Sequence, residues 1–265
     1  VYGIAKMLNF AHGDVIMVGA YVIFTIISTM GYPPIVGVIV AVALCTVLGI
    51  TIERIAYKPL RGASSLAVLI TAIGVSYFLQ NMALIVFGAD TKSFNSIVKF
   101  GPFHLGGLVI SGETLVTIVS CIIIMIILTT FINKTKAGQA MLAVSEDKGA
   151  AVLMGINVNQ TIALTFAIGS GLAAIAGALL CSAYPTLSPY TGSMPGIKAF
   201  TAAVFGGIGS IPGAFVGGIL LGVIEIFGKA YISSQLSDAI VFAVLIIVLI
   251  VKPSGILGKN RQEKV

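Results

Sequence analysis

GGIGSIPG, residues 206–213, sets four glycines and a proline inside a largely apolar stretch that runs from 197 to 231. One helix through those 35 residues would be about 52 Å long, far more than the roughly 30 Å of a bilayer's hydrocarbon core. The stretch therefore predicts a short helix over 197–205, a turn or re-entrant kink, and a second helix over 213–228. Irregular backbone at membrane depth survives only under cover of protein or of a water-filled cavity, so this region is expected inside the molecule.

The surroundings place that break in a membrane protein. Hydrophobic residues make up 58% of the chain and charged residues 9%, against about 25% charged in soluble domains, and mean hydropathy is +1.10. Apolar runs near 15–31, 35–53, 66–88, 114–132, 161–182 and 236–251 each suit a crossing. The fold class expected is all-α: a polytopic transmembrane helical bundle with broken or re-entrant helices and about 7–8 spans, forming a single domain over 1–265. Short segments of alternating polarity, the mark of a membrane β-barrel, are not found. The chain begins at Val1, and VYGIAKML reads as the tail of an earlier helix preceding it.

Basic residues set topology. A net charge of +6 reads here as loop lysines and arginines rather than a nucleic-acid surface, so no nucleic-acid partner is expected. Arg54, Lys58 and Arg61 mark one loop, Lys134, Lys136 and Lys148 a second, and Lys252, Lys259, Arg261 and Lys264 the tail. These three regions are expected on the cytoplasmic side, with 89–113 outside. Between the 133–160 loop and the tail the chain must then cross an even number of times. Spans 161–182 and 236–251 supply two crossings, so 197–231 crosses twice or not at all. Cys45, Cys121 and Cys181 lie in apolar runs and suggest neither a disulfide framework nor a metal site.

NFAHGD, residues 9–14, brings Asn9, His12 and Asp14 to the start of the first span. Two readings stand: a helix start capped by Asp14, or a break in a longer helix whose other half is VYGIAKML. Broken helices often surround translocation paths. Glu225 is a carboxylate within an apolar helix, read either as a pathway residue or as a side chain near the outer interface paired with Lys229. Gly169, Ala173 and Gly177 in one span, with Gly213/Gly217 and Gly218/Gly222 in another, allow close helix packing. GGIGSIPG lacks the Lys-Ser/Thr of a phosphate loop and has no βαβ unit around it. No catalytic constellation or metal-ligand cluster is apparent, so neither an enzyme nor a resident metal or cofactor is expected. The 133–160 loop carries AVSEDKGAAVLMGIN, where Ala150, Ala151, Leu153 and Met154 suit a short helix ended by Gly155 that docks in a partner's groove. Its alternative is an amphipathic helix lying on lipid.

In that loop, Ala150-Ala151-x-x-x-Gly155 resembles the Ala-Ala-x3-Gly core of the coupling loop in ABC importer permeases. Gly149 stands where that pattern usually has Glu, and the interval to Ile162 and Leu164 is shorter. NFAHGD with GAY at 19–21, TIALTFAIGSGLAAIAG and PGIKAFTAAVFGGIGSIPGAFVGG extend the likeness over about 2–258 to the LivH-type permeases of branched-chain amino acid ABC importers. The resemblance implies a multi-pass permease in a bacterial inner membrane with a cytoplasmic C-terminus. It also implies a LivM-type permease partner, two cytoplasmic ATP-binding subunits that hold the ATP, and a periplasmic binding protein delivering Leu, Ile or Val. Glu146, Asp147, Ala150, Ala151 and Gly155 would then form the ATPase contact in the 133–160 coupling loop. Asn9, His12 and Asp14 of NFAHGD and Gly207, Gly209 and Pro212 of GGIGSIPG would lie near the path, to which Glu225 is a candidate by its own charge. Other permeases of this kind take urea, short amides or sugars. An ion-coupled secondary transporter, a passive channel and a membrane enzyme are the rivals from other classes.

Overall fold

The computed structural model describes residues 2–105 and 107–258; the tail charges Lys259, Arg261 and Lys264 lie outside the described residues. Among the described residues eleven α-helices follow in order: α1 (Tyr2–Ala5), α2 (His12–Phe24), α3 (Pro34–Ile52), α4 (Ser65–Phe87), α5 (Gly112–Lys134), α6 (Lys136–Glu146), α7 (Lys148–Leu153), α8 (Val158–Ala183), α9 (Ser193–Gly206), α10 (Ile211–Tyr231) and α11 (Ser237–Val251). Single π-helical turns extend α2 to Thr29 and α3 to Tyr57. With such extensions, α2, α3, α4, α5, α8 and α10 are six helices long and apolar enough to cross a membrane; α11, at 15 residues, is apolar but shorter. Helix starts follow the sequence: Ser64, Ser111, Asn157 and Ser210 accept backbone N–H groups at the heads of α4, α5, α8 and α10.

α8 is the centre of the bundle and packs most extensively on α3 and α2. Small residues allow it. A Cβ on Gly49 would stand 2.2 Å from Ser170 Oγ, one on Gly19 2.7 Å from Ala174 Cα, and one on Gly177 2.5 Å from the Ile16 carbonyl. The contact face of α8 thus runs through Ser170, Ala174 and Gly177, with Ala173 buried beside them. α5 stands at the edge, apolar on all sides, with Gly112 its one buried residue among those described.

α2 and α4 run parallel in fixed register. Asp14 meets Gln80, and seven residues on Tyr21 stacks on Phe87 at 4.2 Å. Gln80 stands 15 residues beyond Ser65, about 22 Å along the helix. α2 therefore begins deep in the bundle. Beyond α4 and α8, strands β1 (Lys92–Ser93) and β4 (Thr186–Leu187) pair antiparallel and join the loops at that end, while β2 (Phe103–Leu105) pairs with β3 (Leu108–Ile110).

The interrupted stretch is a tight helical hairpin of α9, a turn at 207–210, and α10. A Cβ on Gly206 would lie 1.9 Å from the Gly213 carbonyl, and one on Gly217 2.4 Å from that of Ala202. The tail closes the tip: Ile256 and Leu257 N–H donate to the Phe205 and Gly206 carbonyls at 2.9 Å each, satisfying acceptors that a helix end leaves free. Both helices extend beyond the expected 197–205 and 213–228 at each end.

Gly217→Val is expected to cost roughly 1–3 kcal/mol by overpacking the hairpin. Gly74→Ala, whose Cβ would meet nothing within 4 Å, is expected to leave stability unchanged or raised. Thermal unfolding of the solubilised chain distinguishes the two.

Candidate functional site

α1 is a single helical turn, closed by the Lys6 N–H donating to the Tyr2 carbonyl at 2.9 Å. Lys6 has φ 54°, the one positive φ of a non-glycine residue among those described, so the helix cannot continue through it. Residues 7–11 then run without regular helix to His12. The broken-helix reading of NFAHGD holds, and the simple cap reading does not: α2 has no side-chain hydrogen bond at its N-cap, and the Asp14 carboxylate is held by Gln80 of α4.

Asp14 is 1% exposed. Its Oδ1 accepts from Gln80 Nε2 at 2.9 Å, and Ser193 Oγ and Ser76 Oγ lie 3.1 and 3.3 Å from the same nitrogen, sharing its second hydrogen. Three helices, α2, α4 and α9, thereby share one polar knot in an apolar interior. Glycines bring the backbones together around it: a Cβ on Gly13 would sit 2.4 Å from the Gly192 carbonyl, and one on Gly196 2.7 Å from Gly13 Cα. His12 Nδ1 and Tyr21 Oη are buried without a hydrogen-bond partner among the described residues. Asn9 Oδ1 accepts from Tyr57 Oη at 2.9 Å, tying the break to the end of α3.

The two interruptions meet. A Cβ on Gly3 would lie 3.0 Å from Gly209 Cα, and Phe200 of α9 packs on Tyr2 and Phe10 at centroid distances of 6.3 and 5.9 Å. Asn9, His12 and Asp14 follow the chain inward from this junction, while Gly207, Gly209 and Pro212 form the hairpin tip. Glu225 stands apart, 14 residues beyond Ile211, about 21 Å along α10. It pairs with Lys229 at 2.5 Å, one helical turn on, and with Lys198 of α9 at 2.9 Å; Lys198 also reaches Asp238 of α11 at 2.7 Å.

The 133–160 loop folds as α6 and α7. Asp147 caps α7, its Oδ1 accepting from the N–H groups of Gly149 at 2.7 Å and Ala150 at 3.0 Å. Gly155, φ 78°, ends it: its N–H donates to Val152 and that of Ile156 to Ala151, a paired C-terminal stop. Between these signals Leu153 and Met154 are 88% and 81% exposed, whereas Ala151 is 2% exposed and belongs to the core. Ala151 therefore faces the bundle rather than a partner, and Asp147 and Gly155 shape the arm. Glu146 and Ala150 lie on its exposed side. The arm reaches the break directly, since α1 packs on α6 and Lys148 Nζ lies 3.5 Å from the Ala5 carbonyl. Burial, with the charges of Arg61 and Lys6, pushes the Lys148 ammonium below its usual range. Nearby, Arg61 bridges buried Glu53 and Asn159, fastening the end of α3 to the start of α8.

Sequence reasoning missed Gln80, Ser193 and Lys198. Gln80 and Lys198 carried a signal, each being a strongly polar side chain in an apolar helical run.

The family described as "Branched-chain amino acid transport system / permease component" matches residues 1–249. The chain is 44% identical over 277 residues to the high-affinity branched-chain amino acid transport system permease protein BraD of Pseudomonas aeruginosa, covering 100% of this chain and 90% of that protein. It is 44% identical over 278 residues to LivH of Escherichia coli K12, named in the same way, at the same coverages. It is 25% identical over 232 residues to the fructose import permease FrcC of Rhizobium meliloti, covering 83% and 62%. No solved structure matches.

Asp14→Asn keeps an oxygen acceptor for Gln80 and is expected to stay within about 1 kcal/mol of wild type, whereas Asp14→Ala strands that amide and costs roughly 1–3 kcal/mol. Thermal unfolding of both variants tests the knot; an Ala variant as stable as wild type removes it.

Proposed function

We propose a function from one premise: the chain belongs to the family of branched-chain amino acid transport system permease components. It is a multi-pass membrane permease subunit that works within an ABC transporter alongside other subunits. The substrates proposed are the aliphatic amino acids leucine, isoleucine and valine, handed over by a binding protein on the outer side. Two ATP-binding subunits drive transport, and a homologous LivM-type permease completes the pathway. The arm, the hairpin tip and the C-terminal tail face the cytoplasm of a bacterium, the chain lying in its inner membrane.

The observation that carries the reading is the contact between arm and break. A short helix with two large apolar side chains almost fully exposed suits the groove of a driving subunit. Behind it lie α6, then α1, then the interruption and the hairpin tip. A displacement of the arm acts on backbone that is already unwound, so the rigid spans can tilt without breaking further helical hydrogen bonds. Coupling needs a two-state rigid-body change of this kind.

Leu153→Glu with Met154→Glu removes two exposed apolar anchors, each worth about 1.5–3 kcal/mol when buried, so recovery of ATP-binding subunits with the tagged chain is expected to fall at least tenfold. Membrane insertion stays intact. Leucine uptake that survives ATP depletion and collapses with the proton gradient contradicts the reading in favour of a secondary transporter.

A further inference from the structure

α10 carries two glycine pairs, and the chain uses only one of them. Gly213 and Gly217 press against α9, whereas a Cβ on Gly218 would find only Ala202 Cβ at 3.9 Å and one on Gly222 would meet nothing within 4 Å. Gly218, Gly222, Glu225 and Lys229 follow one another at helical spacing and so form a single stripe. Close packing inside the chain does not account for the small residues there.

Gly218, Gly222 and Glu225 of that stripe line a recess of about 220 Å³ between α9, α10 and α11, with Lys198, Ala199 and Ala202 across from them and Leu221 and Val241 at its base. The two charged side chains are 28% and 19% exposed, so both are reachable from the recess. Charges at this place in an apolar hairpin avoid lipid and turn to protein or to a water-filled cavity. The set is neutral: Lys198 and Lys229 against Glu225 and Asp238.

We infer that this recess is a transit site for the zwitterionic aliphatic amino acid, an inference that rests on the permease reading above. The Lys198 ammonium receives the substrate's carboxylate and Glu225 its ammonium, each exchanging one partner for another of the same sign. Ala199, Ala202 and the open glycines receive the aliphatic side chain, with buried Leu221 and Val241 behind them. A zwitterion enters without changing the net charge of the recess; a simple amine or fatty acid leaves one charge uncompensated.

The test uses the assembled transporter in proteoliposomes, with binding protein and ATP. Wild-type protein that takes up no leucine defeats the permease reading itself. Where wild type transports, Glu225→Gln and Gly222→Leu are expected to lower leucine uptake at least tenfold while the subunits still assemble, with Glu225→Asp recovering part of the loss. In a background free of other cysteines, Gly222→Cys is expected to react with a maleimide in the assembled complex and to be protected by leucine during turnover. Normal uptake by both Glu225→Gln and Gly222→Leu overturns the site. So does a Gly222→Cys thiol that is unreactive in the complex or cross-links to a second permease chain, which makes the stripe a subunit interface.

Discussion

Backbone that leaves helical geometry inside a membrane must be covered, because hydrocarbon offers no partner for a free N–H or C=O. This constraint organises the chain. Residues 6–11 unwind within the bundle and the turn at 207–210 closes the hairpin at its end, and each lies against protein. Gly3 approaches Gly209, the tail segment at 256–257 bonds the last carbonyls of α9, and Gly13 lies against Gly192 and Gly196. Neither interruption is covered without the other's helices, so the first and last thirds of the chain are held in one unit.

The polar knot of Asp14, Gln80 and Ser193 follows from the same geometry. A carboxylate at that depth is costly unless it is bonded, and it is bonded across helices rather than along its own. The knot fixes the register between α2 and α4 and pins the head of α9 to both. At the far part of the hairpin, Lys198, Glu225, Lys229 and Asp238 form a second polar set, partly exposed where the knot is closed. The closed set holds the bundle in one arrangement, and the open one leaves charge available to something outside the chain.

Much of the fold is legible in the residues. Apolar run length placed the spans, since bilayer thickness leaves little choice, and the crossing parity together with the glycines and proline of GGIGSIPG placed the hairpin. The end of α7 was legible in Gly155 because a C-terminal stop is local chemistry, whereas the cap that Asp147 supplies at its start was not read from the sequence. Asp14's partner was not, because it depends on the register between two helices 66 residues apart in the chain. Ala151's inward turn was hidden because a six-residue helix is too short for periodicity to fix its face. On α8 the buried Ala173 and Gly177 were legible as small packing residues, whereas Ser170 and Ala174 beside them were not, because composition does not fix the width of a contact face when nearly every residue is small or apolar.

The central claim is that the arm, the hairpin tip and the tail emerge together at one end of the bundle, opposite the paired loops. Single cysteines at Leu153, Ile208, Leu257 and Lys92, in oriented vesicles with a membrane-impermeant maleimide, test it most directly. Labelling of 153, 208 and 257 from one face and 92 from the other is the predicted result. Labelling of 208 from the same face as 92 contradicts it.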